Sequence, residues 1–200
     1  MNNNIDGTIK YYNDNAENFF ESTYKLDMSK LYKPFLDMLP SKASILDVGC
    51  GSGRDSLHFM RLGHNVTPFD ASEKMVELSS KLLGINVLLL DFDNMDFNNQ
   101  FDGIWACAIF LHAPKNKMNS IIPKMERALV DNGVMYVSFK YGEGRGTENG
   151  RLFSYYTEKS LTDLLIDFPK LRIAHIWKTE DIRQDGKNKL WLNALTQKIK

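Results

Sequence analysis

The sequence predicts a doubly wound α/β sheet, and three observations carry that prediction. Short apolar runs alternate with amphipathic stretches from Ser44 to Phe139. A glycine-rich turn, "GCGSG", follows the first run directly. The chain then closes with two strand-like runs joined by a polar connection. Strand and helix in alternation imply parallel pairing through right-handed crossovers, whereas the closing pair implies an antiparallel hairpin.

Each element has its own signal. Residues 1–40 read as a helical segment ahead of an α/β domain over residues 41–200, the whole forming one structural domain. Apolar residues recur at helical spacing through Tyr12, Ala16, Phe19 and Phe20, and again through Leu31, Phe35 and Leu39. Pro34 marks a helix start or a kink, and Pro40 ends the segment. Ser44 to Val48 is a buried strand, and Gly53 to Leu62 a helix stopped by Gly63. Asn65 to Phe69 is the second strand. Ser72 caps the next helix, whose Met75, Leu78 and Leu82 share one face. Ile85 to Leu90 and Phe101 to Phe110 are the third and fourth strands. A helical period runs from Lys115 to Val130, interrupted or started by Pro123. Asp131-Asn132-Gly133 turns the chain into a fifth strand, Val134 to Phe139. The stretch "YGEGRGTENGR" reads as a glycine-rich loop, Glu158 to Ile166 as a helix, and Leu171 to Lys178 and Leu190 to Ile199 as the closing hairpin.

Composition narrows the partners. Of 200 residues, 43% are hydrophobic, and 25 basic residues balance 25 acidic ones. A nucleic-acid binder usually carries a basic excess, so neutrality argues against one. The two cysteines, Cys50 and Cys107, lie in apolar surroundings with no metal-ligand spacing, and the histidines are scattered. We therefore expect reduced thiols and no metal site. "MNNNIDGTIK" lacks a secretory pattern, and "INVLLL" and "GIWACAIFL" are too short to cross a bilayer. The expectation is a cytoplasmic protein with no membrane partner.

The glycine turn discriminates between ligands. A phosphate-binding P-loop needs a lysine that the residues after Gly49 do not supply. A dinucleotide fingerprint places its third glycine where Arg54 stands. The spacing here is instead D-x-G-x-G-x-G, from Asp47 through Gly49, Gly51 and Gly53. An acid on the strand suits an amino group, while glycine backbone and a helix start suit a carboxylate. Asp70 ends the second strand at the distance expected of a ribose-binding acid. Asp91 and Phe92, after the third strand, suit the edge and face of an adenine ring. Any one of these acids alone is better read as a cap or turn residue; three on successive strands, beside the glycine turn, are not.

This constellation resembles the class I S-adenosylmethionine-dependent methyltransferases. "ILDVGCGSG", "FDAS", "DFDNMDFNNQFDGIWACAIFLHAP" and "RALVDNGVMYVSFK" fall in the order and spacing of that family. The usual "L-x-P-G-G" turn reads Leu129-Val130-Asp131-Asn132-Gly133 here, a departure that affects a turn and not the ligand site. "GSGRDS", "WACAIFLH" and "SFKYGEGRG…GRLFSYYT" are most similar to small bacterial members of tellurite-resistance-like or unknown substrate. The resemblance implies a Rossmann-like seven-stranded sheet with an antiparallel last strand, helices on both faces and an N-terminal helical cap over the cofactor. It implies S-adenosylmethionine as donor and S-adenosylhomocysteine as product. It also implies a cofactor site of Asp47, Gly49, Cys50, Gly51, Gly53, Arg54, Asp70, Ala71, Asp91, Phe92, Ala106 and Cys107. Arg54 meets the methionine carboxylate or pairs with Asp55 or another acid, and the sequence leaves both open.

Methyl transfer is an in-line displacement in which the protein chiefly aligns the reactants. A base is needed only for an acceptor that must lose a proton, and His112 in "IFLHAP" is the candidate. Tyr12, Lys140, Arg145, Arg151, Tyr155 and Tyr156 are the candidate acceptor-binding residues. Paired arginines can clamp an anion and aromatic rings can stack on a planar acceptor. We read the loop after Lys140 as a lid or a substrate wall. The expected acceptor is a small molecule. The alternatives are a tRNA or other nucleic-acid acceptor, or a protein that binds S-adenosylmethionine without catalysis.

Overall fold

A computed structural model describes residues 5–183 and 189–200. The chain runs α1 (Ile5–Asp14), α2 (Ala16–Thr23), α3 (Ser29–Leu36), β1 (Ser44–Val48), α4 (Arg54–Arg61), β2 (Asn65–Asp70), α5 (Glu73–Leu83) and β3 (Leu88–Leu89). It continues through β4 (Phe101–Ala106), α6 (Met118–Ala128), β5 (Leu129–Lys140), β6 (Arg145–Glu148), β7 (Arg151–Ser154), α7 (Glu158–Ile166), β8 (Leu171–Glu180) and β9 (Leu190–Lys198). Part of the connection expected between the last two strands, residues 184–188, lies outside the described residues.

Seven strands form one sheet in the order β3-β2-β1-β4-β5-β9-β8. β1 to β5 pair in parallel, and β9 inserts antiparallel between β5 and β8. The doubly wound sheet and its antiparallel last strand therefore stand as the sequence predicted. The order reverses between β1 and β4, and the crevice at the carboxyl ends of those strands is where such sheets bind ligands.

Period-two alternation supplies a core on each face of the sheet. Leu46, Ile104 and Met135 point toward α6 and α7, where they pack with Ile121, Met125 and Leu161. Their neighbours Ile45, Trp105 and Val134 point the other way, toward Tyr32 and Phe35 of α3 and Phe59 of α4. Trp105 is fully buried and stacks on Tyr136 at 3.9 Å between ring centroids. Among the described residues no helix is long and apolar enough to cross a membrane.

Several boundaries differ from the sequence reading. β3 holds only two residues, because the chain leaves α5 through the left-handed Gly84 and meets β2 late. β4 stops at Ala106, and a 3-10 turn, Phe110–His112, occupies the end of the expected strand. Pro34 and Pro123 both sit inside helices. The turn at Asp131–Gly133 is a bulge within β5, where Phe101 faces Leu129 and Gly103 faces Val134. The largest difference is the stretch read as a loop, which folds into an antiparallel β6–β7 hairpin. Its turn residues Asn149 and Gly150 both have positive φ, the requirement of a tight two-residue hairpin turn.

Candidate active site

The glycine turn after β1 is shaped by close approach. Gly49 has a φ of +65°, and a Cβ there would lie 2.5 Å from the Ile109 side chain. Gly53 begins α4 at a φ of +77°, and a Cβ there would press on Ser79 and Leu83 of α5. The third glycine of the motif thus serves helix packing, while the first lets Ile109, itself a cavity residue, pack against the backbone.

Asp47 is buried and accepts a 2.6 Å hydrogen bond from Ser56 Oγ. Burial, reinforced by the nearby Asp55, pushes its carboxyl up to about 8. Asp55 behaves in the opposite way. Arg54 grips it with Nε at 2.6 Å and Nη2 at 2.9 Å, while Tyr32 and Trp105 donate to it as well. Its burial acts upward, but these partners outweigh it and hold its pKa below the carboxylate range. Arg54 is thereby fixed to Asp55, with its remaining N–H groups left on a residue that lines the cavity. Asp55 was not foreseen as part of the site. Its signal was its place beside Arg54 in "GRDS".

Asp70, at the end of β2, accepts from Gly51 N and Ser72 N, both at 2.9 Å. Two backbone donors lock the carboxylate without exhausting its acceptor capacity. Asp91 accepts from the backbone and side chain of Asn94, and Phe92 packs edge-on against Phe110. Ala71, Cys50 and Cys107 line the same cavity, whereas Ala106 is fully enclosed within β4.

The opposite wall comes from α1, the 3-10 turn and the hairpin. His112 Nδ1 lies 2.7 Å from the Leu152 carbonyl, which only accepts, so Nδ1 carries the proton. Nε2 then accepts from Tyr12 Oη at 3.0 Å. Burial lowers the His112 pKa to about 4, so the imidazole is neutral at pH 7. α1 spans both walls: Asn13 accepts from Ser72 Oγ at 2.7 Å, and Thr8 Oγ1 accepts from Leu152 N at 3.3 Å. Lys140 lies over the Phe153 ring and pairs with Glu148 at 3.1 Å.

Three of the expected acceptor residues sit elsewhere. Tyr156 is in the core against Phe139. Tyr155 packs beside Gly142 and Gly146 on the hairpin, and Arg145 is exposed; neither lines the cavity. Strand alternation sets Tyr156, and Arg145 opposite Ser154, on the other side of the hairpin from Arg151 and Phe153. Ser138 and Asn193, buried at the floor, were not anticipated. Among the described residues no cluster of histidine, cysteine, aspartate and glutamate is arranged to hold a metal ion. The enclosed space is about 700 Å³, within the size range of small-molecule sites.

Comparison with known proteins agrees with this geometry. A family profile described as a methyltransferase domain matches residues 45–133. The "Probable S-adenosyl-L-methionine-dependent methyltransferase TehB" of Haemophilus influenzae (strain 10810) is 26% identical over 133 residues, covering 63% of this chain and 46% of TehB. The chain thus spans about half the length of that relative. An uncharacterized methyltransferase of Staphylococcus carnosus is 25% identical over 162 residues, covering 77% of this chain and 75% of its own. The crystal structure of Burkholderia thailandensis 1,6-didemethyltoxoflavin-N1-methyltransferase, with 1,6-didemethyltoxoflavin and S-adenosylhomocysteine bound, superposes with a TM-score of 0.76. It shares 20% identity and covers 98% of this chain and 87% of its own. With the sheet order, the glycine turn and the three strand-end acids, these matches make the chain similar to S-adenosylmethionine-dependent methyltransferases over the region from β1 to the start of β5.

Proposed function

We propose that this protein transfers the methyl group of S-adenosylmethionine to a small-molecule acceptor. The observation that carries the reading is one cavity lined by the buried Asp47, the glycine turn from Gly49 to Gly51, Arg54 and the locked Asp70. Gly49 and Gly51 leave backbone without a Cβ along that lining, which suits a ligand laid against backbone. The donor set fits too. Asp47 faces an ammonium, the unspent N–H groups of Arg54 a carboxylate, Asp70 the ribose hydroxyls, and Asp91 with Phe92 the adenine.

When bound, S-adenosylmethionine supplies a methyl group already activated on a sulfonium. The chain's own task is then to bind, align and exclude water. β1, β2 and β4 fix the donor side. α1 and the hairpin close the acceptor side with Tyr12, His112 and Phe153. Neutral His112 holds Tyr12 by accepting its proton bond, and its Nε2 is the one basic nitrogen this pair offers to an acceptor that must lose a proton. Such a base typically contributes roughly 10²–10⁴-fold. The bonds made by Asp47, Arg54 and Tyr12 are side-chain bonds to neighbours, so each can be tested singly.

Titration calorimetry with S-adenosylhomocysteine is the first test, followed by a methyl-transfer screen over metabolite pools. Asp70→Ala should weaken binding at least ten-fold. Unchanged binding in that variant would remove the donor site from this crevice. A protein that binds the nucleoside yet methylates nothing would be a non-catalytic binder.

A further inference from the structure

The acceptor wall contains a cation that makes no ion pair among the described residues. Arg151 begins β7 and lines the cavity. Its guanidinium lies 4.1 Å from the Tyr11 ring centroid, 5.2 Å from that of Phe153 and 6.0 Å from that of Tyr12. Among the described residues it makes no ion pair, and its Nε is buried without a hydrogen-bond partner. The carboxylate placed to serve it is Glu148, its cross-strand partner in the hairpin. Glu148 instead bonds Lys140. Arg151 is thus held in place by aromatic faces and by a hydrogen bond to the neutral Tyr12 phenol, which orient a guanidinium without neutralising it.

We infer that Arg151 binds an oxyanion of the acceptor, a carboxylate or a phosphate. The fork of a guanidinium matches both groups, and charge-assisted bonds to it are about twice as strong as neutral ones. A partly buried cation without a partner is costly, and an anionic ligand removes that cost. Position separates this anion from the donor's own carboxylate. Arg54 stands at the start of α4, beside the turn after β1, whereas Arg151 stands on the hairpin that follows β5, beyond the ends of β4 and β5. Phe153 and Tyr12 flank the guanidinium, so the anion is attached to a planar or apolar body. Arg151 is a specificity-determining residue on this account, and it leaves alignment of the methyl group to the donor wall. The inference rests on the methyl-transfer reading for the word acceptor; the anion site itself does not depend on that reading.

Ligand-observed NMR titration with benzoate and benzamide tests it, on the free protein and on protein loaded with S-adenosylhomocysteine. Benzoate should bind at least ten-fold more tightly than benzamide in both states. Arg151→Gln should abolish that preference, and Arg151→Lys should keep part of it, because charge remains while the fork is lost. Both variants should retain wild-type affinity for S-adenosylhomocysteine within two-fold, and that retention also shows that they fold. Equal binding of benzoate and benzamide by the wild type would overturn the inference. So would a ten-fold loss of S-adenosylhomocysteine affinity in a folded Arg151→Lys, since that assigns the guanidinium to the donor's carboxylate. If the wild type fails to bind S-adenosylhomocysteine, the methyl-donor reading falls, and the benzoate preference of the free protein still decides the anion site.

Discussion

The two walls of the cavity keep a buried titratable group neutral, but in opposite ways. On the donor wall, Asp47 has one hydroxyl partner, and burial with the neighbouring Asp55 raises its pKa to about 8. On the acceptor wall, His112 has partners on both ring nitrogens, and burial lowers its pKa to about 4. Asp47 is unfinished without a cationic ligand, while His112 is complete without any. The donor wall is also built into the sheet, whereas the acceptor wall is assembled from α1, a 3-10 turn and a hairpin by a few hydrogen bonds. The difference teaches that ligand arrival should change the charge state of one wall and the mobility of the other.

The largest test strikes the backbone of the donor wall. Gly49→Val puts a branched side chain at a φ of +65° and against Ile109. Strain of this kind costs about 1–3 kcal/mol, and the added bulk displaces Ile109, which lines the cavity. Affinity for S-adenosylhomocysteine should fall at least about a hundred-fold, measured by calorimetry on protein whose circular dichroism is unchanged. Retained affinity would mean that the nucleoside does not lie on this turn.

The acceptor wall is tested through acid stability. The folded-state pKa of His112 lies at about 4, below its ordinary 6.5, so the unfolded chain takes up a proton first as pH falls. Stability tied to neutral His112 is complete above about pH 6.5 and is lost as pH falls toward 4. The two values imply a loss of roughly 3 kcal/mol across that window. Urea unfolding of the wild type should show this slope, and His112→Gln should lack it. Identical slopes would show that the imidazole is not held neutral by its surroundings.

Asp47 gives the opposite sign. Its raised pKa means that stability linked to the protonated carboxyl is present at low pH and declines as pH rises from about 3.8 toward 8. At pH 7 the ligand-free carboxyl therefore holds a proton, which an incoming ammonium should expel. Calorimetry in buffers of different ionisation enthalpy should record release of about one proton per S-adenosylhomocysteine. Asp47→Asn should bind more weakly and release none. Release that persists in Asp47→Asn would assign the proton to another group.

The two walls were unequally legible in the sequence. The donor wall is local: Asp47, Gly49, Gly51 and Arg54 lie within one turn, and Asp70 is where the second strand must end. A ligand held by backbone leaves its mark as glycines at fixed spacing. The acceptor wall depends on contacts between residues about 100 and 144 positions apart, as in Tyr12 with His112 and Thr8 with Leu152. No short window encodes such pairs. His112 and Tyr12 were each singled out, but their bond to one another was not. The hairpin was misread because its glycines outweighed the Asn149-Gly150 signal, and with the strand came an alternation that sends Arg151 to the cavity and Tyr156 to the core.

The smallest expected effect asks whether the two walls open separately. Thr8 Oγ1 accepts the Leu152 N–H, and the Leu152 carbonyl in turn holds His112. Thr8→Val keeps the shape of the side chain and removes the acceptor, leaving a buried N–H that costs about 1 kcal/mol. If the acceptor wall is a separately opening unit, amide exchange should quicken about five-fold across residues 145–154 and in α1. Exchange in β1 and β4, which reports global unfolding, should quicken by the same factor from a slower baseline and keep a steeper dependence on urea. If β1 and the hairpin exchange with one opening free energy and one urea slope, the walls form one cooperative unit. The closing of the acceptor side would then be fixed at folding, and α1 would bind the two walls into a single rigid frame through Asn13 and Thr8.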